Sequence, residues 1–263
     1  MRLKTFLTQS IVMPLAIAAY KGHPLRGVPR YLSVLREFQA YRKMSNGSSE
    51  SISLRNFYPW LVDKYGQAGY VDPYFYQDTW CARKIFESRP ALHVDVGSSL
   101  MTAGILSQFC DLTYVDIRPL SVSLPGLTFK QGDLLSLPFE PDSVESLSSL
   151  SVVEHVGLGR YGDSLDPHGT DKACSELSRI LRLEGALYVA VPTAKIAATY
   201  FNAHRIFNPD EFIAKFPGLV LTEERYGTSN GIFGRSQYEM MGMPEAYGCF
   251  CFTKTASASY KSN

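Results

Sequence analysis

The sequence has no cysteine pair at the spacing of a metal or disulfide framework. Its five cysteines, at positions 81, 110, 174, 249 and 251, are odd in number and contain no CxxC. That disfavours a disulfide scaffold and a zinc site, and free thiols suit a reducing cytoplasm. Cys249 and Cys251 stand two apart in a β-like run, which puts both on one face of a strand. Long apolar runs are also lacking. The nearest, Ile11 to Tyr20, is broken by Pro14 and falls short of the ~18–20 residues that span a bilayer. Arg2 and Lys4 ahead of that run mimic the start of a leader peptide, but the free thiols weigh against secretion. No one sign of charge dominates: 26 Lys and Arg face 25 Asp and Glu, for a net charge of +1. A whole-chain electrostatic drive toward nucleic acid is thereby excluded. With 45% hydrophobic and 19% charged residues, wholesale disorder is excluded too.

The chain has 263 residues, enough for one large α/β domain with additions or for two small domains. Its charge is unevenly spread. Residues 1–45 carry eight Lys or Arg and one acid, Glu37, and the remainder is mildly acidic. This basic arm reads as helical, with breaks at Gly22-His23-Pro24 and near Gly27–Pro29. Its apolar residues Phe6, Leu7, Ile11, Val12, Leu15 and Ile17 could lie in an anionic membrane surface. The alternative is an extra helical layer, packed on the body or on a second copy of the chain as a homodimer. Residues 46–72 read as a Ser/Asn/Gly linker and an aromatic segment, and residues 256–263 as a Ser-rich, frayed tail.

Between them, residues 73–255 alternate strand and helix. Pro73 suits a first helical position after a capping Asp72. Strands are expected over 91–97, 112–117, 127–130, 144–153, 186–191, 219–225 and 248–254, and helices over 73–88, 100–109, 170–183 and 209–216. Such alternation predicts a doubly wound, mainly parallel α/β sheet, whose ligands bind beyond the carboxyl ends of the strands. Three successive ends carry an Asp, and the fourth carries a Glu. The first holds Asp95, Gly97 and Ser98, with a Gly that lets a ligand approach the backbone. The second holds Asp116 and Ile117, where a carboxylate can accept from two ribose hydroxyls. After the third come Asp133 and Leu134, and the fourth ends Glu154-His155.

The run Asp95-Val96-Gly97, then Asp116, Asp133 and Val153-Glu154-His155-Val156, resembles the class I S-adenosylmethionine-dependent methyltransferases. So does Glu176–Leu187, leading into the fifth strand. A narrower resemblance, carried by "HVDVGSS", "VDIRPL", "EHVGLGRYGDSLDPHG" and "FNAHRIFNPDEF", is to domain-of-unknown-function family 268. The resemblance covers roughly residues 75–255. It implies a Rossmann-like fold and S-adenosylmethionine as cofactor, with the residues at the first three strand ends holding it. Two of the superfamily's three motif glycines are replaced, by Ser99 and Met101, which puts a bulky side chain where the cofactor normally nears the backbone.

Methyl transfer to a hydroxyl needs a base as well as alignment. His155 is the first candidate, with Glu154 to orient it, and His204 is the second. Arg160, Tyr161 and Asp163, on the Gly-rich loop 157–169, and Arg205 beyond the fifth strand are candidate acceptor-binding residues. Asp163, Asp166 and His168 have no specific metal spacing, so no metal is expected. The expected function is O-methylation of a small polar acceptor, such as a sugar or glycan precursor. The alternative is a methyltransferase-fold protein that only binds or scaffolds.

Overall fold

The computed structural model describes residues 24–46, 51–54, 57–61 and 73–256. The apolar run before Gly22, the Asp72 cap and the tail beyond Ala256 lie outside these residues. The chain divides into two compact units, Met1–Tyr70 and Val71–Asn263.

In the first unit, helix α1 spans Pro24–Met44. Pro24 opens it, where a missing N–H and a fixed φ are harmless. The break expected near Gly27–Pro29 does not occur, because both residues lie inside the helix. Pro29 forfeits one i→i−4 bond. Phe57 and Leu61 are buried. Tyr31 and Phe38 meet the Phe57 ring edge-on at 5.8 and 4.8 Å, and the buried Arg30 donates from Nη1 to the Leu61 carbonyl at 3.5 Å.

The second unit opens with α2 (Pro73–Ser88), then β1 (His93–Val96), α3 (Leu100–Leu106), β2 (Leu112–Asp116), β3 (Leu127–Gln131) and β4 (Val144–Leu150). There follow α4 (Gly169–Ile180), β5 (Leu181–Thr193), a small hairpin of β6 (Ala198–Tyr200) and β7 (His204–Ile206), and α5 (Pro209–Ile213). The last elements are β8 (Leu219–Thr228), β9 (Gly231–Phe233), α6 (Arg235–Met240) and β10 (Ala246–Lys254). Eight strands form one sheet in the order β3-β2-β1-β4-β5-β10-β8-β9. The pairs among β1 to β5 are parallel, and β10 joins β5 and β8 antiparallel. This is a doubly wound, mainly parallel α/β sheet.

Both faces of the sheet are covered, so β5 and β10 are apolar almost throughout. One face packs Val94, Leu147, Leu177, Phe212 and Phe250 into a core. The other packs Trp80, Ile85, Leu106 and Tyr188, with Cys81, Cys249 and Cys251. Fully burying one such Leu or Phe contributes about 1.5–3 kcal/mol. All five cysteines are free thiols.

The helices expected over 100–109 and 209–216 end earlier, at Leu106 and Ile213, and the boundary between α4 and β5 also departs from the sequence expectation. Helix α4 stops at Ile180 and β5 begins at Leu181 without a loop. Leu181 is buried and pairs with Val144, which extends the strand backward through Glu184 at φ +61°. A β-carbon on Gly185 would come within 3.0 Å of the Glu145 carbonyl oxygen, so a residue without one fits there.

Candidate functional site

The order β2-β1-β4 reverses direction at β1, and a cleft opens beyond the strand ends at that point. Of the sequence-identified residues it brings together Gly97, Asp116, Ile117, Asp133, Leu134, His155, Tyr161 and Asp163. Asp95, Ser98, Glu154, Arg160, His204 and Arg205 do not line it.

At the first strand end, Gly97 has φ +72°, and a β-carbon there would come within 3.0 Å of Val152 Cγ1. Asp95 is fully buried beneath this turn. Its Oδ1 accepts from the Ser98 amide at 3.1 Å and its Oδ2 from the Ser148 hydroxyl. Because that hydroxyl gives its hydrogen to Asp95, it accepts at 2.8 Å from Nε2–H of His93. His93 Nδ1 then accepts from Ser146 at 2.8 Å. Burial holds His93 neutral, with its pKa lowered to about 3, and raises that of Asp95 to about 6. The buried Ser98 hydroxyl accepts from the Leu150 amide at 2.9 Å, tying the turn to β4. Asp95 and Ser98 thus shape the loop from below. Met101 points away into solvent and is 75% exposed, so its bulk does not fill the cleft.

At the second strand end, Asp116 is fully engaged. Oδ1 accepts from the Arg118 amide at 2.8 Å and Nε at 2.9 Å, and Oδ2 from Nη2 at 2.7 Å; the Tyr114 hydroxyl lies 3.2 Å from Oδ2 and shares its one hydrogen with the nearer Ser98 carbonyl at 2.9 Å. Burial alone would raise the pKa of Asp116, but the Arg118 bonds outweigh it and the net shift is downward. The Arg118 guanidinium also lies 5.0 Å from the Tyr161 ring centre, and Arg160 lies 5.2 Å from the same ring. At the third end, Asp133 lines the cleft, and its Oδ1 accepts from the Leu135 amide at 2.9 Å.

Beyond β4, Ser151 adopts φ +56° and donates from its hydroxyl to Gln77 at 2.8 Å. Glu154 is fully buried, and neither of its carboxyl oxygens has a hydrogen-bond partner among the described residues. Burial pushes its pKa up to about 8. His155 Nδ1 lies 2.6 Å from the Ala203 carbonyl. A carbonyl only accepts, so Nδ1 carries the hydrogen and Nε2 the free lone pair. Burial lowers the His155 pKa to about 4.

The loop 157–168 is held by its own groups. Asp163 Oδ2 accepts from the Gly157 amide at 2.7 Å and the Gly159 amide at 3.3 Å, and Oδ1 from the Tyr161 amide at 3.2 Å. Gly157 is required as such, because a β-carbon there would sit 2.0 Å from the Asp166 carbonyl oxygen. Arg160 Nη1 donates to Ala203 at 3.1 Å. Arg205, expected to hold an acceptor's anionic group, is placed differently. It is buried, and Nη1 donates to the Val156 carbonyl at 2.7 Å and to Thr170 Oγ1 at 3.2 Å. Its guanidinium is spent on the underside of the loop. His204 lies on β7 with its ring 6.4 Å from that of His155. Asp166 is paired with Lys172 at 2.6 Å, and no metal-ligating group of three side chains occurs among the described residues.

The sequence reading missed two residues of this cleft that matter chemically, Arg118 and Ser151. Arg118 stands two residues after Asp116, and that spacing was the available signal. Nothing local in the sequence marks the backbone of Ser151.

The family described as "Caenorhabditis protein of unknown function, DUF268" matches residues 139–220. No curated protein matches the chain. Among solved structures, the cyclase SpnF is similar at 13% identity and a TM-score of 0.50, over 68% of this chain and 81% of that one. A sarcosine dimethylglycine methyltransferase described from Galdieria sulphuraria is similar at 14% identity and a TM-score of 0.49, over 68% and 85%. The 1,6-didemethyltoxoflavin-N1-methyltransferase of Burkholderia thailandensis is similar at 14% and 0.48, over 86% and 89%. At such identities the likeness is one of fold.

Proposed function

We propose that the chain is an S-adenosylmethionine-dependent methyltransferase acting on a hydroxyl of a small polar acceptor, such as a sugar or glycan precursor. The observation that carries the reading is the convergence of Gly97, Asp116 and Asp133, from three neighbouring strand ends, on one cleft. The cleft fits a nucleoside-sized cofactor. Gly97 leaves the backbone bare, and Val96, Ile117, Leu134 and Val152 give an apolar wall. When bound, S-adenosylmethionine supplies an electrophilic methyl group on a sulfonium sulfur.

The chain's own residues have distinct tasks. Asp116 accepts from the ribose hydroxyls and Asp133 from an exocyclic amine. His155 holds a lone pair at Nε2, the atom that takes the acceptor's proton. The Ala203 carbonyl, which takes Nδ1–H, orients the ring; Glu154 Oε1, 3.6 Å from Nε2, makes no hydrogen bond to it. Tyr161 and Arg160 flank the acceptor side, on the loop that Asp163 and Arg205 hold in shape. The polar character of that loop supports a sugar-like acceptor.

The second reading is a protein of this fold that binds or scaffolds without transferring methyl. The grip of Arg118 on Asp116 favours it, and one fold carries many chemistries, as the name of the cyclase SpnF indicates. Calorimetry with S-adenosylhomocysteine separates the two. Saturable heat and a rise in melting temperature support the enzyme. The absence of both supports the scaffold.

A further inference from the structure

Arg118 stands where the ribose of the proposed cofactor has to bind. A carboxylate offers about four lone-pair directions, and Arg118 takes three of those on Asp116, with two side-chain nitrogens and its amide; the fourth faces the Tyr114 hydroxyl, whose one hydrogen is shared with the nearer Ser98 carbonyl. Two vicinal hydroxyls can reach both oxygens only if Nε and Nη2 of Arg118 withdraw. The other two donors can stay, because the Arg118 amide and the Tyr114 hydroxyl hold the carboxylate from the protein side. The guanidinium has somewhere to go. Its side chain is 58% exposed, and the face of Tyr161 already lies against it at 5.0 Å.

We propose that Arg118 is a specificity-determining residue of the cofactor site: its side chain competes with the ribose diol for Asp116. The inference rests on the methyltransferase reading above and deepens it. The competition has a defined sign. A residue that merely supports the site weakens binding when removed, whereas a residue that must be displaced strengthens it. Removing the guanidinium also leaves the Asp116 carboxylate short of donors in the free protein, which favours any ligand that supplies them.

The test is calorimetric titration of S-adenosylhomocysteine into wild type, Arg118→Ala, Arg118→Lys and Asp116→Asn, with melting curves of the ligand-free proteins. Arg118→Ala is expected to bind about 3- to 10-fold tighter than wild type, the scale of one partly exposed charged pair. Arg118→Lys, with a single donor head in place of the fork, is expected to fall between them. Ligand-free Arg118→Ala should melt below wild type while showing the larger shift on adding ligand. If wild type binds and folded Arg118→Ala binds equally or more weakly, the inference is overturned and the cofactor reading stands. If neither wild type nor any folded Arg118 variant binds, the cofactor reading falls and the inference with it. Binding by Arg118→Ala alone would support the inference in its strongest form.

Discussion

Glu154 and His155 are chain neighbours that meet uncharged: Oε1 of one lies 3.6 Å from Nε2 of the other, with the carboxyl pKa near 8 and the imidazole pKa near 4. Oppositely charged, the two would be an ion pair. Burial makes both charges costly, and a 3.6 Å separation does not repay the cost. The carboxyl therefore keeps its proton at neutral pH.

This arrangement predicts an unusual pH dependence of stability. A raised folded-state pKa on Glu154 means the folded chain binds a proton that the unfolded chain has lost, so stability is fully present below about pH 4.5 and is lost as pH rises through 8. The buried His93 and His155 act oppositely, but only below about pH 6.5, where the unfolded imidazoles charge. Between pH 6.5 and 8.5 the Glu154 contribution should fall by about 2 kcal/mol. Glu154→Gln, which keeps the shape and neutrality of the protonated acid, should flatten the curve there. Urea unfolding across that range checks it, and an equal slope in both proteins would count against the assignment.

Asp116→Ala should weaken S-adenosylhomocysteine binding by about 1.5–3 kcal/mol, the scale of hydrogen bonds to a charged group. Calorimetry on the folded variant is the check. Unchanged affinity would remove Asp116 from the ribose site.

His155→Ala should lower turnover by roughly 10²–10⁴ and spare cofactor binding. The comparison variant is His204→Ala. If that change alone costs turnover, the base is His204, whose ring lies 6.4 Å from that of His155.

Arg205→Met should destabilise the fold by about 2–4 kcal/mol, because it strips charged donors from buried carbonyls. Thermal and urea unfolding measure it. A loss within ~0.5 kcal/mol, the range of a surface change, would free Arg205 for a role in acceptor binding.

The basic arm, residues 1–45, makes a membrane contact testable. If it docks on anionic lipid, the full chain should pellet with phosphatidylserine vesicles at low salt and be released at high salt. Failure to pellet at low salt leaves the arm a structural layer.

The alternation of apolar strands with helices made the sheet legible in the sequence, because a sheet covered on both faces needs near-continuous apolar runs such as Leu187–Val191. The strand-end acids were legible for the same reason: where an apolar run stops, the chain reaches the cleft or the surface. Short elements were not. The β6–β7 hairpin, β9 and α6 span three to six residues each, too few to set up a period. Side-chain commitments were hidden too. Arg205 reads like any loop arginine, since its carbonyl partners lie 39 to 51 residues away. Asp95 and Asp116 look alike in sequence, yet one is sealed beneath the loop by Ser98 and Ser148 and the other faces the cleft.

The strand nearest the carboxyl end, β10, is not at the edge of the sheet but between β5 and β8. During synthesis, β5 can therefore find its parallel partner β4, while the β8–β9 pair cannot join the rest of the sheet until residues 246–254 leave the ribosome. Until then β5 presents a free hydrogen-bonding edge and a row of apolar side chains, the kind of surface that pairs with other chains. Nascent chains halted before residue 246 should bind chaperones more strongly than chains halted after residue 254 has emerged.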